Sequence, residues 1–312
     1  MLDVRRLRVL KEVAARGSFS AAAESLAYTQ SAVSQQIAAL EREAGLQLVE
    51  RSARGVHLTD AGRVLVRHAE GVLRGLAEAE AELEAMAGLR GGRLRLVAFP
   101  SAGASLMPEA IARFRERHPA VEITLAPAEP DEAVELLRAG EADVGMMIEP
   151  TWTKPGDDGM ERTHLIDDPM YLVLPAGHPA ANKRRLGVGD LAEEAWILGS
   201  ADASCPDSQV LMRACNAAGF EPRIAFQSDD YNAIQGFVAA GVGVCMIPDL
   251  ALITVRNDVV VRSLGPKAPV RRISAISTAG GFCSPAKQAM LEVLAETARD
   301  WTGHRRELAL AS

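Results

Sequence analysis

Between residues 61 and 86, apolar and small residues recur at alternating intervals of three and four positions. The members of this heptad pattern are Ala61, Leu65, His68 or Ala69, Val72, Leu76, Ala79, Leu83 and Met86. The pattern lasts for almost four heptads between polar flanks, which predicts one long helix with a narrow seam for a partner helix. We expect this helix to begin after a Thr59 cap and to be roughly 40 Å long. The alternative is a helix that lies on its own domain.

The charge of the 312-residue chain is distributed unevenly about this helix. The net charge is −7, yet residues 1–68 hold ten basic and seven acidic residues, which leaves that end at +3. A mildly basic end on an acidic body allows that end alone to approach phosphates. Charges interrupt the first thirteen residues, and no apolar run reaches the length of a signal peptide or a membrane span. We therefore expect a cytosolic protein without membrane contact.

Three short helices are predicted before the long one. Leu7, Leu10 and Val13 recur at helical spacing, with Gly17 placed as a C-terminal cap. We expect Ser20 to cap a second helix over 21–26. Thr29 should cap a third helix that runs to residue 44, where Gly45 ends it.

The polar side of the third helix is the most informative surface of this region. Val33, Ile37 and Leu40 form its apolar stripe, and the opposite side carries Gln30, Ser31, Ser34, Gln35 and Arg42. Amide and hydroxyl side chains reach base edges and phosphates without a carboxylate that would repel the DNA backbone. The arrangement predicts a helix-turn-helix in which Thr29 and these Gln and Ser residues contact DNA. A three-helix bundle with an ordinary polar face is the alternative.

A hairpin is predicted directly after the third helix. Residues 46–49 and 55–58 are strand-like and flank a turn that contains Arg51 and Arg54. Two arginines at the tip of a hairpin suit phosphate contacts beside a DNA-reading helix. The hairpin therefore favours a winged helix-turn-helix.

Five segments of this region together resemble a known family. In chain order they are Ser18-Phe19-Ser20-Ala21-Ala22-Ala23, Thr29-Gln30-Ser31-Ala32-Val33-Ser34-Gln35-Gln36-Ile37, Leu40-Glu41, Leu48-Val49-Glu50-Arg51 and Leu58-Thr59-Asp60-Ala61-Gly62. Their order and spacing resemble the signature of LysR-type transcriptional regulators, and the similarity continues through the whole chain. Val49 departs from the pattern because the family usually has Phe there, which should only soften packing under the wing.

The resemblance implies a fold of class α + α/β. We expect a winged helix-turn-helix over 1–58, a coiled-coil linker helix over 59–88, a hinge over 89–92 and an effector-binding domain over 93–304. The implied function is regulation of transcription by binding double-stranded DNA under the control of a small-molecule effector. The implied partners also include a second copy of the chain through the linker helix, a tetramer formed from two dimers, and RNA polymerase. No cofactor and no metal are expected.

The part of the chain beyond residue 93 alternates between strands and helices. Strands are predicted over 94–99, 121–125, 143–148, 170–174, 196–198, 223–226, 242–247, 259–264 and 270–276, and helices over 105–117, 131–139, 207–218, 231–240 and 285–304. Two α/β units in series predict two lobes with a cleft between them. We assign 93–164 and 269–304 to lobe I and 165–268 to lobe II. This architecture is similar to that of periplasmic binding proteins, and the LysR resemblance implies the same arrangement.

Loops after the strands are the expected effector contacts, because ligands of such sheets bind beyond the carboxyl ends of the strands. The candidate effector-binding residues are Pro100, Ser101, Ala102, Gly103, Ala128, Ser200, Asp202, Ser204 and Gln227. The alternative for Ser101 and Asp207 is simple helix capping, and Asp230 is expected to be a cap. Asp202 and Asp229 argue against a strongly anionic effector, so an uncharged or zwitterionic one stays open.

Two other functions are weighed against a ligand-controlled regulator. A thiol-based redox sensor would use Cys205 and Cys215, since some peroxide-sensing members of the family use two cysteines in this region, although Cys215 falls on an apolar helix side that suits a buried thiol. A solute-binding protein would fit the two lobes but neither the first 88 residues nor the lack of a signal peptide. The six histidines stand beside no nucleophile and no phosphate-binding loop is present, so we expect no enzyme.

Overall fold

Residues 1–52, 55–86, 92–152, 158–199, 205–280 and 283–311 are described by a computed structural model of the chain. Two units of structure are formed, one chiefly from residues 1–88 and the other chiefly from residues 89–312. No helix within the described residues is both long enough and apolar enough to cross a membrane. The predicted hinge lies outside the described residues except for Gly92.

The N-terminal unit contains four helices and one hairpin. Its elements are α1 (Val4–Arg16), α2 (Phe19–Ser25), α3 (Gln30–Ala44), β1 (Val49–Ser52), β2 (Gly55–Leu58) and α4 (Asp60–Met86). Gly17 and Gly45 end α1 and α3 in the left-handed conformation, as predicted. Thr59 accepts a hydrogen bond from the Gly62 N–H at 3.0 Å and so caps α4.

The predicted start of α2 is wrong. Ser18, not Ser20, is the cap, and its hydroxyl accepts a hydrogen bond from the Ala21 N–H. The earlier start brings Phe19 into the helix, where it is buried on the same side as Ala22 and Ala23. Burial of this aromatic ring outweighs the equal local preference of the two serines for the cap position.

The described seam residues of the long helix α4 are packed against the core in its first part and exposed further along. In its first part Ala69 is fully buried in the core of the N-terminal unit, which contains Leu10, Val13 and Val33. Further along, Val72, Leu76 and Leu83 remain exposed. The predicted long helix is confirmed, and among its described side chains the large exposed apolar residues of the seam lie from Val72 onward.

The C-terminal unit consists of two α/β lobes. Lobe I holds β3 (Arg93–Ala98), α5 (Pro100–Ala104), α6 (Leu106–Arg117), β4 (Glu122–Pro127), α7 (Pro130–Arg138) and β5 (Val144–Pro150); lobe II holds β7 (Ala195–Leu198), α8 (Pro206–Ala217), β8 (Arg223–Gln227), α9 (Tyr231–Ala239), β9 (Val244–Pro248) and β10 (Val259–Ser263). The strands β6 (Met160–Pro175) and β11 (Val270–Thr278) connect the lobes, and α10 (Pro285–Ala311) closes the described chain. The predicted two-lobed architecture is confirmed.

Each lobe is built around three parallel strands. β3 lies between β4 and β5, and β7 lies between β8 and β9. β11 pairs antiparallel with β5 on one side and with β6 on the other. β6 then pairs with β9 and β10 from Met170 onward. The strand order is therefore β4-β3-β5-β11-β6-β9-β7-β8, with β10 also on β6.

Two predicted features of this unit differ from the structure. β6 begins at Met160, well before the predicted start at residue 170. Its first half is polar, so hydropathy does not reveal it as a strand, and pairing with β11 holds it in the sheet. The sequence places residues 100–105 in a loop, but residues 100–104 form α5, which Pro100 opens at the first helical position. The predicted lobe boundary at 164/165 falls inside β6 and stays a prediction.

Candidate DNA-binding face and effector cavity

Capping, packing against the core and hydrogen bonds to the wing fix the position of helix α3. The Thr29 hydroxyl accepts a hydrogen bond from the Ala32 N–H at 3.2 Å, and Val33, Ile37 and Leu40 are buried in the core. Glu41 joins the helix to the wing, since its Oε1 accepts hydrogen bonds from the N–H groups of Leu48 at 2.8 Å and Val49 at 3.2 Å. These bonds therefore fix the position of the following hairpin relative to α3.

The outer side of α3 carries the predicted DNA-contacting residues. Thr29, Gln30, Ser31 and Gln35 are exposed, and Ser34 is half-buried. The hydroxyls of Thr29 and Ser31 lie 3.0 Å apart and share a hydrogen bond. β1 and β2 form the antiparallel wing. The Arg51 side chain and the whole of Arg54 lie outside the described residues.

A cavity of about 390 Å3 opens between the two lobes of the C-terminal unit. Its walls from lobe I are the ends of β3, β4 and β5 with the starts of α5 and α7; its walls from lobe II are the starts of α8 and α9. Residues that line it include Phe99, Pro100, Ser101, Glu129, Pro130, Asp131, Glu132, Ile148, Gly199, Cys205, Pro206, Asp207, Asp229, Tyr231 and Arg271. Its volume is at the small end of the range for small-molecule sites.

Arg271, which β11 carries into this cavity, has a guanidinium that is almost fully engaged. Its Nε donates to Asp168 Oδ2 at 2.7 Å, its Nη1 donates to Asp207 at 2.9 and 3.1 Å, and its Nη2 donates to the Ser101 hydroxyl at 2.7 Å. Only 1% of the Arg271 side chain is exposed, and the Phe99 ring lies 5.4 Å from the guanidinium carbon. These bonds join the connecting strands to α5 of lobe I and α8 of lobe II.

The buried charges alter one another's pKa values. Burial raises the pKa of Asp168 to about 6, and the Arg271 guanidinium opposes that rise. Burial alone would lower the pKa of Arg271, but the carboxylates of Asp207 and Asp168 outweigh it and raise that pKa. The Tyr231 hydroxyl donates to Asp207, and burial followed by the nearby Asp207 charge raises the pKa of Tyr231 well above its usual range. Arg271 therefore stays charged and Tyr231 stays neutral across physiological pH.

The predicted effector-binding residues are only partly brought together. Pro100 and Ser101 line the cavity, whereas Ala102, Gly103, Ala128 and Gln227 are not among the described residues that line it. Ser200, Asp202 and Ser204 lie outside the described residues. Asp230 caps α9 as predicted, with its carboxylate accepting from the Asn232 N–H at 2.8 Å. Asp207 is not a cap, because it lies inside α8 and binds Arg271 and Tyr231.

Sequence reasoning missed Arg271 and Glu129, two charged residues that line the cavity. One signal for Arg271 was available, since it is a charged residue in a strand whose neighbours at every second position, Ile273 and Ala275, are apolar and buried. An arginine on the buried side of a strand needs a buried carboxylate as its partner, because an unpaired buried charge is unfavourable. Its partners Asp168 and Asp207 are 103 and 64 residues away, so only the fold identifies them.

Of the two cysteines weighed as a redox pair, Cys215 is buried inside a helix, which argues against its reactivity. All four cysteines lie in the described part of the chain and none forms a disulfide. Cys215 is fully buried in α8, and burial raises the pKa of its thiol to about 11. Cys205 is half-buried at the start of the same helix. Because the thiolate is the reactive form, Cys215 is a poor nucleophile at neutral pH.

The fold and these two sites define a class of protein, in which a winged helix-turn-helix unit is linked through a long helix to a two-lobed ligand-binding unit. Residues 4–63 match the family model described as a bacterial regulatory helix-turn-helix protein of the lysR family. Residues 87–299 match the model described as the LysR substrate binding domain. The chain belongs to the LysR family of DNA-binding transcriptional regulators, which the sequence resemblance had predicted.

Relatives in several bacteria are similar over most of their length. The chain is 30% identical over 298 residues to the probable HTH-type transcriptional regulator LrrA of Synechococcus elongatus, covering 95% of this chain and 98% of that one. It is 34% identical over 252 residues to a probable hydrogen peroxide-inducible genes activator of Mycobacterium avium, covering 79% and 78%.

Solved structures of full-length regulators show the same fold. The LysR-family regulator CbnR is 23% identical with a TM-score of 0.67, covering 95% of this chain and 99% of that one. A full-length OxyR variant of Pseudomonas aeruginosa is 25% identical with a TM-score of 0.69, covering 96% and 95%.

Proposed function

We propose that this chain reads operator DNA with α3 and its wing, and that a small molecule in the interlobe cavity controls this binding. The observation that carries the proposal is the exposed, uncharged polar side of a helix that is capped, packed and tied to a wing. Gln30, Ser31, Ser34 and Gln35 would contact base edges, and Thr29 the adjoining backbone. Arg51 and Arg54 would bind phosphates from the wing. CbnR, which shares this fold, has been solved in complex with its target DNA.

The proposed assembly is a dimer through the second half of α4. Val72 and Leu76 are each about half exposed and Leu83 is more so, with relative accessibilities of 49%, 47% and 67%. Three large apolar residues on one face of a helix favour a partner helix over solvent. Two reading heads would then match a two-fold-related DNA site. Pairing of dimers into tetramers and contact with RNA polymerase complete the proposal, both on the strength of the family resemblance.

The experiment that tests DNA reading compares two neighbouring glutamines of α3. Gln35 is exposed, whereas Gln36 accepts a hydrogen bond from Arg6 of α1 at 3.2 Å. Duplexes selected from a randomised pool define the preferred sequence of the unaltered chain. We expect Gln35→Ala to lose about tenfold in preference for that sequence, the equivalent of one good base contact. Gln36→Ala, which loses an amide of the same kind, should keep the preference.

The wing is tested in the same assay. Arg54→Ala should weaken binding to every duplex to a similar degree and lower the dependence of affinity on salt by about one unit of slope. If Gln35→Ala instead weakens all sequences equally, α3 does not read bases in the proposed way.

A further inference from the structure

The interlobe cavity has an unusual balance of charge for a site that would hold an anion. Among its described lining residues are five carboxylates and a single guanidinium; the carboxylates belong to Glu129, Asp131, Glu132, Asp207 and Asp229. A sixth carboxylate, that of Asp168, lies directly behind the guanidinium of Arg271. A cleft lined by one sign of charge concentrates ligands of the opposite sign.

The one cation among the described lining residues is not available to an incoming anion. Arg271 already donates from all three of its nitrogens, to two carboxylates and one hydroxyl, and its side chain is almost completely buried. An anion that paired with Arg271 would have to compete with Asp168, Asp207 and Ser101 for its N–H groups, and a displaced carboxylate would lose its counter-charge. The cost of leaving a buried charge unpaired outweighs the gain from a new pair of the same kind.

Three of the four helix N-termini at the cavity are likewise occupied, and the fourth belongs to α5, which has only five residues. Such termini attract anions through their free N–H groups and their partial positive charge. Here α7 carries Asp131 and Glu132 in its first turn, and α8 carries Asp207 in its first turn. The start of α9 is capped by the Asp230 carboxylate. Each of the three helices thus offsets its own dipole, which removes the usual means of binding an anion.

Two of the carboxylates have no such role among the described residues. Glu129 precedes α7 and Asp229 precedes the cap of α9, and no described residue donates a hydrogen bond to either side chain. Burial, followed by the nearby charges of Asp207, Asp229 and Glu132, raises the pKa of Glu129. Acidic groups of the two lobes therefore repel one another across the cavity. A positive charge placed there would relieve this repulsion.

Most of the other described lining residues are apolar or aromatic. They include Ile148 and Pro130 of lobe I and Pro206 and Tyr231 of lobe II. A tyrosine face also attracts organic cations. On these grounds, and resting on the proposed function, we propose that the effector is an organic cation with an ammonium, guanidinium or amidinium group on a small apolar body. Glu129 of lobe I and Asp229 of lobe II are its charge partners.

The test uses the full chain and three probes of one length, namely butane-1,4-diamine, butane-1,4-diol and succinate. Binding is measured by titration calorimetry and by the shift in melting temperature, up to about 10 mM, where a ligand with a millimolar Kd saturates its site. We expect affinity to fall in the order diamine, diol, succinate. Phenethylamine should likewise bind more tightly than phenylacetate, which has the opposite charge on a similar body.

Variants then locate the charge partners. Glu129→Gln and Asp229→Asn should each weaken diamine binding by about tenfold or more, because each removes one counter-charge in a partly desolvated site. Glu221→Gln removes the same charge from an exposed residue outside the cavity, so it should change affinity by less than about twofold. Both cavity variants keep the size of the side chain, so loss of fold is not expected.

Several results would overturn the assignment. Tighter binding of succinate than of the diamine would leave the cavity as the effector site but exclude a cationic effector. Failure of every cation to bind, or an equal loss in Glu221→Gln, would also reject the proposal. The selection of DNA sequences described above is scored independently, so a chain that reads DNA but ignores cations contradicts only the effector class.

Discussion

Replacement of Arg271 by methionine is predicted to destabilise the C-terminal unit strongly and in a pH-dependent manner. The substitution leaves Asp168, whose side chain is 0% exposed, with only the Leu250 N–H at 3.2 Å as a described partner. Removing one member of a buried ion pair typically costs about 3–5 kcal/mol. Methionine fills much of the space of the arginine stem, so the charge rather than the volume accounts for most of this loss.

The dependence on pH follows from the pKa of Asp168. Burial has already raised it to about 6, and loss of the opposing guanidinium raises it further. A carboxyl whose pKa is raised by folding contributes stability that is fully present below its unfolded pKa and is lost as pH rises through the folded pKa. The deficit of Arg271→Met should therefore be largest near pH 8. Near pH 5 it should be smaller by about 1.4 kcal/mol or more, the equivalent of one pKa unit.

Urea unfolding followed by tryptophan fluorescence measures this directly. All three tryptophans, Trp152, Trp196 and Trp301, belong to the C-terminal unit, so the signal reports that unit alone. Adding Asp168→Asn should restore most of the stability and flatten the pH profile, since the amide oxygen can still accept from Leu250. Arg272→Met is the matched control; this neighbouring arginine is 42% exposed, lies 3.8 Å from Asp167, and should cost less than about 1 kcal/mol.

Two results would refute this reasoning. If Arg271→Met loses the same stability at pH 5 and pH 8, Asp168 does not carry the uncompensated charge. If Asp168→Asn fails to restore stability at pH 8, the loss arises from the unpaired Asp207 carboxylate or from packing around Phe99 rather than from the pair of Asp168 with Arg271.

The remaining predictions concern the N-terminal unit and the cysteines. Val72→Asp with Leu76→Asp should yield monomers in sedimentation velocity and abolish high-affinity DNA binding, and a monomer with full affinity would contradict the proposed dimer. Gly62→Ala should destabilise the N-terminal unit by about 1–3 kcal/mol, because the added Cβ would lie 2.1 Å from the Leu48 carbonyl oxygen. Hydrogen exchange of α1–α3 measures this loss. Gly71→Ala is the control in the same helix; open space surrounds Gly71, so this change should instead stabilise α4 by up to about 1 kcal/mol. Mild peroxide should leave no disulfide between Cys205 and Cys215 by mass spectrometry, and detection of that bridge would revive the redox-sensor alternative.

The features that the sequence predicted well are those decided by neighbours in the chain. The Thr29 cap, the Gly45 stop and the stripe of Val33, Ile37 and Leu40 each follow from residues within a few positions, so α3 could be placed before its surroundings were known. Ser18 and Ser20 show the limit of local reasoning. Both are good caps two residues apart, and the choice depends on where Phe19 is buried, which is a tertiary property.

The cavity could not be predicted in the same way, because its key contacts join distant parts of the chain. A hydroxyl in α5, a carboxylate in β6 and another in α8 meet on one arginine of β11. The sequence predicts Ser101 as a ligand contact because it follows a strand. In the structure, however, its hydroxyl accepts a hydrogen bond from Arg271. Local propensity indicates that a residue stands near a site, but only the fold shows whether its polar atoms are already used.

The position of the charges indicates how a ligand could be coupled to the shape of the C-terminal unit. Glu129 lies in lobe I and Asp229 in lobe II, and both connecting strands contribute a residue to the Arg271 network of the same cavity. We expect a cation between the two carboxylates to favour arrangements in which the lobes are close, because it would offset the repulsion between them. A ligand shifts a conformational equilibrium only by its difference in affinity for the two states. A diol of equal length lacks that charge, so it should occupy the cavity with far less effect on DNA affinity than the diamine.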